Sequence, residues 1–140
     1  MADILSAIRT QLVASSGVTD LVSTRIVAGP LTQKITLPAM SINWVAGLHL
    51  DHLGGLSGYA EARVQVDSYS DVSAVQANSV REQARLALTG VGCVTWGGVY
   101  VHYCGDASDI PQYESPIEGE RIGRFVAGLD VQICYAEATA

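Results

Sequence analysis

The stretch EARVQVDSYSD, Glu61–Asp71, alternates apolar and polar residues and decides how the rest of the chain is interpreted. Val64 and Val66 fall on one side, and Arg63 and Gln65 fall on the other. This period of two residues predicts a β-strand with one face in a core and the other in polar surroundings. The polar face could meet solvent, form the floor of an active site or contact a partner.

Two segments have the spacing of amphipathic helices. In the first, Ile4–Gly17, apolar residues recur at four-residue steps, and Gly17 suits the left-handed position past a helix end. The second is DVSAVQANSVREQARLALTG, with Ser70 or Asp71 as its N-cap. The small apolar face of this second helix, which lets it lie close on a sheet, consists of Ala77, Val80, Ala84 and Leu88.

Extended segments surround these helices. TRIVAG predicts a short strand that ends at Gly29-Pro30, and LPAMSINWVAG predicts a strand that Pro38 starts. CVTWGGVYVHYC predicts one or two short strands around Gly97-Gly98. The last segment alternates over Phe125–Tyr135 and predicts a long final strand.

Two polar segments are predicted to lie at the surface. GLHLDHLGGLSGY holds four glycines and predicts a flexible loop or the mobile end of a long hairpin. The acidic stretch Asp106–Glu120 holds two prolines and predicts a long exposed loop. Loops of this length are often functional, so both segments supply candidate partner contacts. These candidates are His49, Asp51, His52, Asp109, Tyr113 and Glu114.

Together the segments predict an α+β fold in one domain, residues 1–140. A mostly antiparallel sheet would carry two helices on one face, with a long hairpin and an acidic loop. If the last strand neighbours the Glu61–Tyr69 strand, Arg63 could pair with Asp130 or Asp67. A sheet covered on one side is common in monomers and is also a usual way to build a ring. The candidate subunit or channel interface on the uncovered face is Arg63, Gln65, Asp67, Asp130 and Gln132, with Glu61 alongside.

Composition limits the class of protein. The 140 residues are 49% hydrophobic and 16% charged, which is typical of a folded globular chain. No apolar run approaches the ~20 residues that a membrane helix needs, so no membrane partner is expected. The N-terminus lacks the features of a signal peptide, which predicts a cytoplasmic start.

The net charge limits which partners are expected, and the cysteine content limits which structural sites are expected. A net charge of −6 argues against conventional nucleic-acid binding, although an acidic surface could let DNA pass without retaining it. The three cysteines, Cys93, Cys104 and Cys134, are widely spaced, which predicts buried thiols rather than a disulfide framework or zinc site.

Few stretches suggest chemistry. The pair His49 and His52 flanks Asp51 in HLDH and could bind a divalent ion, but a glycine-rich loop holds ligands poorly. Cys104 near His102 lacks an orienting third residue. GLSGY is one residue short of a nucleophile elbow, and no phosphate loop or dinucleotide fingerprint occurs. The sequence therefore predicts no catalytic residues, no metal, no cofactor and no enzyme activity.

Several stretches in this order resemble the tail-completion proteins of long-tailed phages, also called tail-terminator or tail-to-head joining proteins. They are LVSTRI with Arg25-Ile26, LPAMSI, ARVQVDSYSD running into a helix with VREQARLAL, and an acidic loop with Tyr113 before RFVAGLDVQI. The resemblance covers roughly Ile4–Tyr135. An aromatic-proline pair often follows Arg-Ile in that family, whereas here Val27–Gly29 intervenes before a proline.

The resemblance implies a structural virion protein, assembled in the host cytoplasm, that forms a homohexameric ring at the head-proximal end of the tail. Such a ring stops polymerisation of the major tail tube protein and docks a neck or head-completion protein. DNA would pass through its centre without specific binding. Closed rings use heterologous contacts, and the polar sheet face would then meet a neighbour or the channel.

Two other hypotheses remain open. Another head-tail neck adaptor or head-completion protein would also form a ring but would be dominated by helices, so circular dichroism would separate the two. A small metal-binding module centred on HLDH would take up metal, and His49→Ala and His52→Ala would abolish that uptake.

Overall fold

The computed structural model describes residues 3–31, 35–53, 55–114 and 124–136. The chain folds as α+β, with three helices and a six-stranded sheet among these residues. The helices are α1 (Ile4–Ala14), α2 (Ser16–Val22) and α3 (Ala74–Leu88). The strands are β1 (Ile26–Ala28), β2 (Ala39–His52), β3 (Gly55–Ser70), β4 (Val91–Trp96), β5 (Val99–Glu114) and β6 (Arg124–Ala136).

The strand predicted from Glu61–Asp71 lies near the centre of the sheet, within β3. The strand order is β1-β2-β3-β6-β5-β4, and every pair is antiparallel except the parallel pair β1 and β2. The final strand is inserted between β3 and β5, so Val66 lies opposite Leu129 and Gln65 lies opposite Asp130. The sheet curls into a half-barrel. The last strand is thus the neighbour of β3, which is the condition under which the sequence pairs Arg63 with Asp130 or Asp67.

The helices cover one face of the sheet, as the periodicity predicts. Fully buried side chains of α1 and α3 pack with Val64, Val66 and Leu129 in one core. Burial of apolar surface of this kind contributes about 25 cal/mol per Å². The helix residues in this core, with two from α2, are Ile4, Ala7, Ile8, Leu12, Val18, Val22, Val80, Ala84 and Leu88.

The start of α3 differs from the prediction. Its N-cap is Ser73, whose side chain accepts a hydrogen bond from the Gln76 N–H at 3.1 Å. Ser70 instead ends β3, and its hydroxyl accepts from the N–H groups of Val72 and Ser73. The N-cap therefore lies two residues after the predicted cap Asp71 and three after Ser70, because the Ser70 hydroxyl holds the turn that precedes the helix.

Gly17 does not end α1 in a left-handed conformation. Ser15 ends α1, and Gly17 lies inside the short helix α2. A Cβ atom at Gly17 would collide with the side-chain amide of Gln83 on α3. The glycine therefore allows α2 and α3 to approach closely, and it serves packing rather than helix termination.

The glycine-rich stretch forms the end of a long hairpin, because β2 and β3 pair from Ala39↔Tyr69 to His52↔Gly55. Of the two predicted alternatives, the hairpin is the one observed. A β-bulge between Trp44 and Ala46 interrupts the register. Gly97 and Gly98, with φ of 53° and 85°, form the predicted turn between β4 and β5.

The prediction of a long exposed loop over Asp106–Glu120 is wrong for its first part. β5 continues to Glu114, and Gly105–Glu114 pairs with Arg124–Gln132 of β6. A register shift between Gly105 and Ser108 absorbs the glycine and small polar residues that suggested a loop. Residues 115–120 of the predicted loop lie outside the described residues. None of the helices in the described part of the chain combines the length and the apolar character needed to cross a membrane.

Candidate functional site

The face of the sheet opposite the helices carries a band of polar side chains, here called the polar face. Its members come from three neighbouring strands, because alternation sends every second residue to this side. Cross-strand registers place Ser41 opposite Asp67 and Asn43 opposite Gln65, and Gln65 is in turn opposite Asp130. The polar face consists of Ser41, Asn43, Glu61, Arg63, Gln65, Asp67, Asp130 and Gln132.

Arg63 lies at the centre of the polar face and bridges β3 and β6. Its Nε donates to Asp130 Oδ2 at 2.8 Å, and its Nη1 donates to Gln132 Oε1 at 3.4 Å. The Arg63 side chain is 40% exposed, whereas that of Asp130 is 17% exposed. The predicted pairing of Arg63 is therefore confirmed with Asp130, so three of the five candidate interface residues form one cross-strand cluster.

The other two candidates form a second cluster further along the strand. Gln65 Nε2 donates to Asp67 Oδ1 at 2.8 Å. Asp67 is only 8% exposed. A Cβ atom at Gly128 would lie 3.0 Å from Asp67 Oδ1, so the carboxylate rests directly over the bare backbone of β6. Asp67 is thus mainly a structural member of the polar face, and Gln65 is the more accessible of the two.

Sequence reasoning did not single out Tyr59 and Cys134, which extend the polar face toward the hairpin. Tyr59 donates a hydrogen bond to Glu61 Oε1 at 3.1 Å, and Glu61 lies opposite Cys134 on β6. A hydrogen bond with Cys134, burial and the Glu61 carboxylate together raise the pKa of Tyr59 above its ordinary value of 10.0. The phenol therefore stays neutral and keeps its proton to donate. The strand alternation that includes Glu61 was the signal that could have found both residues.

A shallow depression of about 180 Å³ adjoins the Arg63 cluster. It lies beside the bulge between Trp44 and Ala46, where small side chains leave room on the polar face. Its lining combines small apolar residues with the charged side chains of Glu61 and Arg63. The lining residues are Ala46, Gly47, Leu48, Glu61, Ala62, Arg63 and Gln132.

The predicted partner-contact residues lie on strands rather than loops. His49 is exposed on β2, and Asp51 and His52 follow it in the same strand. Tyr113 and Glu114 close β5. The side chains of the last four lie outside the described part, so their predicted contacts stay predictions. Within the part of the chain that the structure describes, no group of three or more histidine, cysteine, aspartate or glutamate residues is arranged to hold a metal ion.

Asp109 is on β5, where its carboxylate lies 3.5 Å from Arg81 Nε of α3. The Arg81 side chain is only 17% exposed, so it serves a contact between helix and sheet instead of remaining solvated. Arg85 pairs with Glu82 on the same helix. Asp109 is therefore on the helix-bearing side of the sheet and does not join the polar face.

Cys104 and His102 are not a nucleophile pair. Cys104 is fully buried and burial raises the pKa of its thiol to about 12, with a smaller effect from Cys134. His102 is exposed and contacts the rings of Tyr59 and Tyr100, with centroids 5.5 and 4.9 Å away. A register shift between Val101 and Tyr103 turns His102 away from the thiol. The thiol is a core residue.

Comparison with known proteins identifies a shared fold. Among solved structures, 18 chains match, and one of them belongs to the structure described as the virion of the native gene transfer agent particle. The two folds superpose with a TM-score of 0.65 over 96% of this chain and 95% of that chain, at 14% sequence identity. No protein-family profile and no curated protein sequence matches the chain. At this identity, the likeness is one of fold.

Proposed function

We propose that this protein is a structural virion component of a phage-like particle. It forms a ring at the head-proximal end of the tail tube, ends tube polymerisation and joins the tail to the head. The observation that carries the proposal is the fold shared over nearly the full length of both chains with a chain of a gene transfer agent virion. The resemblance in the order of sequence elements points independently to the same class of protein.

The polar face fits this role better than a catalytic one. Its carboxylates are occupied in hydrogen bonds: Asp130 accepts from Arg63 across two strands, and Asp67 accepts from Gln65 on the same strand. Such a pre-ordered polar surface is suited to contact with a neighbouring subunit or to lining a channel. In this proposal the chain acts as one domain and has no catalytic function.

The partners in this proposal are further copies of the chain in a sixfold ring, the major tail tube protein and a neck or head-completion protein. DNA passes through the centre. The net charge of −6 disfavours retention of its phosphates, because each copy of the chain repels the duplex. Assembly would take place in the host cytoplasm, with the finished ring in the virion.

Negative-stain microscopy of tubes assembled from the cognate tube protein tests the proposal. Added protein is expected to produce tubes of limited length with one ring-shaped cap at a single end. Arg63→Ala, which breaks the central cluster of the polar face, is expected to reduce the capped fraction. Tubes that remain uncapped and unlimited in length with the wild type would overturn the tail assignment and favour a neck-adaptor role.

A further inference from the structure

The sheet has an open edge along β2. β1 pairs only with Met40–Ile42, so no strand among the described residues pairs with the outer edge of β2 from Asn43 to His52. Residues 44–49 on this edge are all exposed. A long open edge is a template for pairing with another chain, and monomeric proteins usually protect it.

A second open edge lies on the opposite side of the sheet. β4 pairs with β5 only as far as Cys104, so the outer edge of Gly105–Glu114 has no partner strand within the described ranges. Residues 107–109 on this edge are exposed. Both open stretches are ten residues long, 43–52 and 105–114, and each extends about 33 Å.

The existing hydrogen bonds show which peptide groups of each edge strand point away from the sheet. On the β1 side, the Met40 N–H donates to the Arg25 carbonyl at 2.9 Å, and the Ile42 carbonyl accepts from the Gly29 N–H at 2.8 Å. The alternation continues to Trp44 and is shifted by one residue at the bulge. It therefore turns the peptide groups of Trp44, Gly47 and His49 outward.

The same alternation, followed through β3 and β6, turns Asp109, Pro111 and Tyr113 outward on β5. Pro111 has no N–H, and an outward position on an edge strand is where a sheet tolerates proline. Its presence costs the edge one main-chain donor, while the carbonyl of Pro111 and the peptide groups of Asp109 and Tyr113 still point outward.

We infer that the open edge of β2 in one copy pairs with the open edge of β5 in the next copy, which deepens the proposed ring and rests on it. Three antiparallel steps separate β2 from β5, so these strands run in opposite directions and similarly oriented copies meet as an antiparallel pair. β1 covers β2 only at Met40–Ile42, and β4 covers β5 only at Val99–Cys104, at the first residues of each strand. Because the two strands are antiparallel, these covered parts lie toward opposite ends of the sheet. The two stepped edges therefore interlock.

When the two open stretches overlap fully, Asn43 of one copy lies opposite Glu114 of the next. The bulged residue Val45 is left unpaired, which shifts the register by one, so His49 lies opposite Asp109. Both residues belong to the helix-bearing side of the sheet, since His49 pairs with the buried Ala60 and Asp109 pairs with the buried Leu129. An imidazole and a carboxylate are complementary cross-strand neighbours. This register therefore places two chemically compatible side chains, an imidazole and a carboxylate, next to each other.

This contact joins two different edges, so it is heterologous, which is the type of contact from which closed rings are built. The two open stretches are offset from each other along the strand direction. A closed sheet requires such an offset, because its strands are tilted by about 35–45° from the barrel axis. The helices lie outside such a ring and the polar face lines its channel. Six copies of the six-stranded sheet would contribute 36 strands. Because β1 and β4 lie end to end with the neighbours' β5 and β2, these strands occupy about 24 positions around the ring and form a wall roughly 50 Å across, from the strand spacing and tilt.

Cysteine cross-linking tests the register. In a Cys93→Ser background, which removes the exposed native thiol, H49C and D109C are combined in one chain. Directly opposite residues of an antiparallel pair have Cα atoms about 5.5 Å apart, within disulfide range. Mild oxidation is expected to give a ladder of cross-linked species that ends at one closed size. A mixture of the two single variants is expected to give mainly mixed dimers.

The matched control places the second cysteine at Ser108, which is exposed next to Asp109 but faces the other side of the sheet. H49C with S108C is expected to cross-link at least tenfold less. Equal cross-linking in the control, a predominance of H49C homodimers or no ladder overturns the inference. If the cross-linking result is negative but wild-type protein still caps tubes, the proposed function stands and only the edge contact is wrong. If the ladder forms but no tubes are capped, the edge contact stands and the proposed function is wrong.

Discussion

Arg63 Nε lies 2.8 Å from Asp130 Oδ2, and this ion pair joins β3 to β6 on the face that the helices leave open. The strands meet there because β6, the last strand in the chain, is inserted beside β3, so the contact connects residues 67 positions apart. The Arg63 side chain is 40% exposed, so other chains can reach it. The pair thus belongs both to the fold and to the surface on which the proposed ring depends.

Arg63→Ala is expected to affect assembly more than stability. Because the side chain is 40% exposed and solvent screens the pair, the free energy of unfolding is expected to fall by no more than about 1 kcal/mol. Urea unfolding measures this change, and the fraction of capped tubes measures assembly. We expect the capped fraction to fall at least fivefold.

Arg85→Ala is the control for that experiment, because Arg85 is equally exposed and also pairs with a carboxylate, Glu82, but lies on α3 away from the polar face. This variant should cap tubes like the wild type. If Arg63→Ala and Arg85→Ala behave alike in the capping assay, the polar face has no part in assembly.

The sequence predicts the fold where periodicity is regular. The alternation in Glu61–Asp71 and Phe125–Tyr135 correctly identifies two adjacent strands, and their adjacency correctly places Arg63 next to Asp130. These predictions succeed because one face of each strand is buried, which makes the alternation strict and the register specific.

The sequence is misleading where sheet pairing overrides local composition. Asp106–Glu114 has the glycine, proline and acidic residues of a loop, yet β6 offers a partner for its backbone and holds it as a strand. Pro111 is compatible because the outer side of β5 has no partner within the described residues. No local pattern shows that such a partner strand comes from the end of the chain.

Gly128→Ala is expected to destabilise the fold by about 1–3 kcal/mol, the usual cost of overpacking. The added methyl group would lie 3.0 Å from both Asp67 Oδ1 and the Ile110 carbonyl oxygen. Thermal unfolding measures the loss. The double variant with Asp67→Ala should recover only part of it, because the backbone carbonyl cannot move away. Full stability in Gly128→Ala would show that β5 and β6 yield at this point.

Two glycine substitutions separate packing from backbone conformation. Gly17→Ala is expected to leave stability unchanged or raise it by up to about 1 kcal/mol, since alanine favours α2 and the flexible Gln83 amide can rotate away. Gly90→Ala is expected to cost about 1–2 kcal/mol, because φ is +73° although the space is empty. Chemical denaturation of both variants provides the comparison. A large loss in Gly17→Ala would show that Gln83 cannot move away and that the close approach of α2 and α3 requires glycine at this position.

The buried thiol of Cys104 predicts a loss of stability in alkaline solution. Burial raises its pKa to about 12 from an ordinary value of 9.0, so the folded state holds the proton more tightly than the unfolded state does. The contribution of this thiol to the free energy of unfolding is therefore fully present below pH 9 and is lost as the pH rises from 9 toward 12. The free energy of unfolding should fall by up to about 1.4 kcal/mol per pH unit in this range through this thiol alone.

Urea unfolding between pH 8 and pH 11 measures that slope for the wild type, Cys104→Ala and Cys93→Ala. The Tyr59 phenol, whose pKa is also raised, contributes in the same direction in all three proteins, so the comparison isolates the thiol. Cys104→Ala is expected to be less stable at every pH because of the cavity it leaves, but with a flatter alkaline slope. Cys93→Ala removes an exposed thiol whose hydrogen bond raises the pKa of Tyr100, so its slope should lie slightly below the wild-type slope and above that of Cys104→Ala. Equal slopes in all three proteins would mean that Cys104 ionises as readily in the folded chain as in the unfolded one, and that the core beneath β5 admits water.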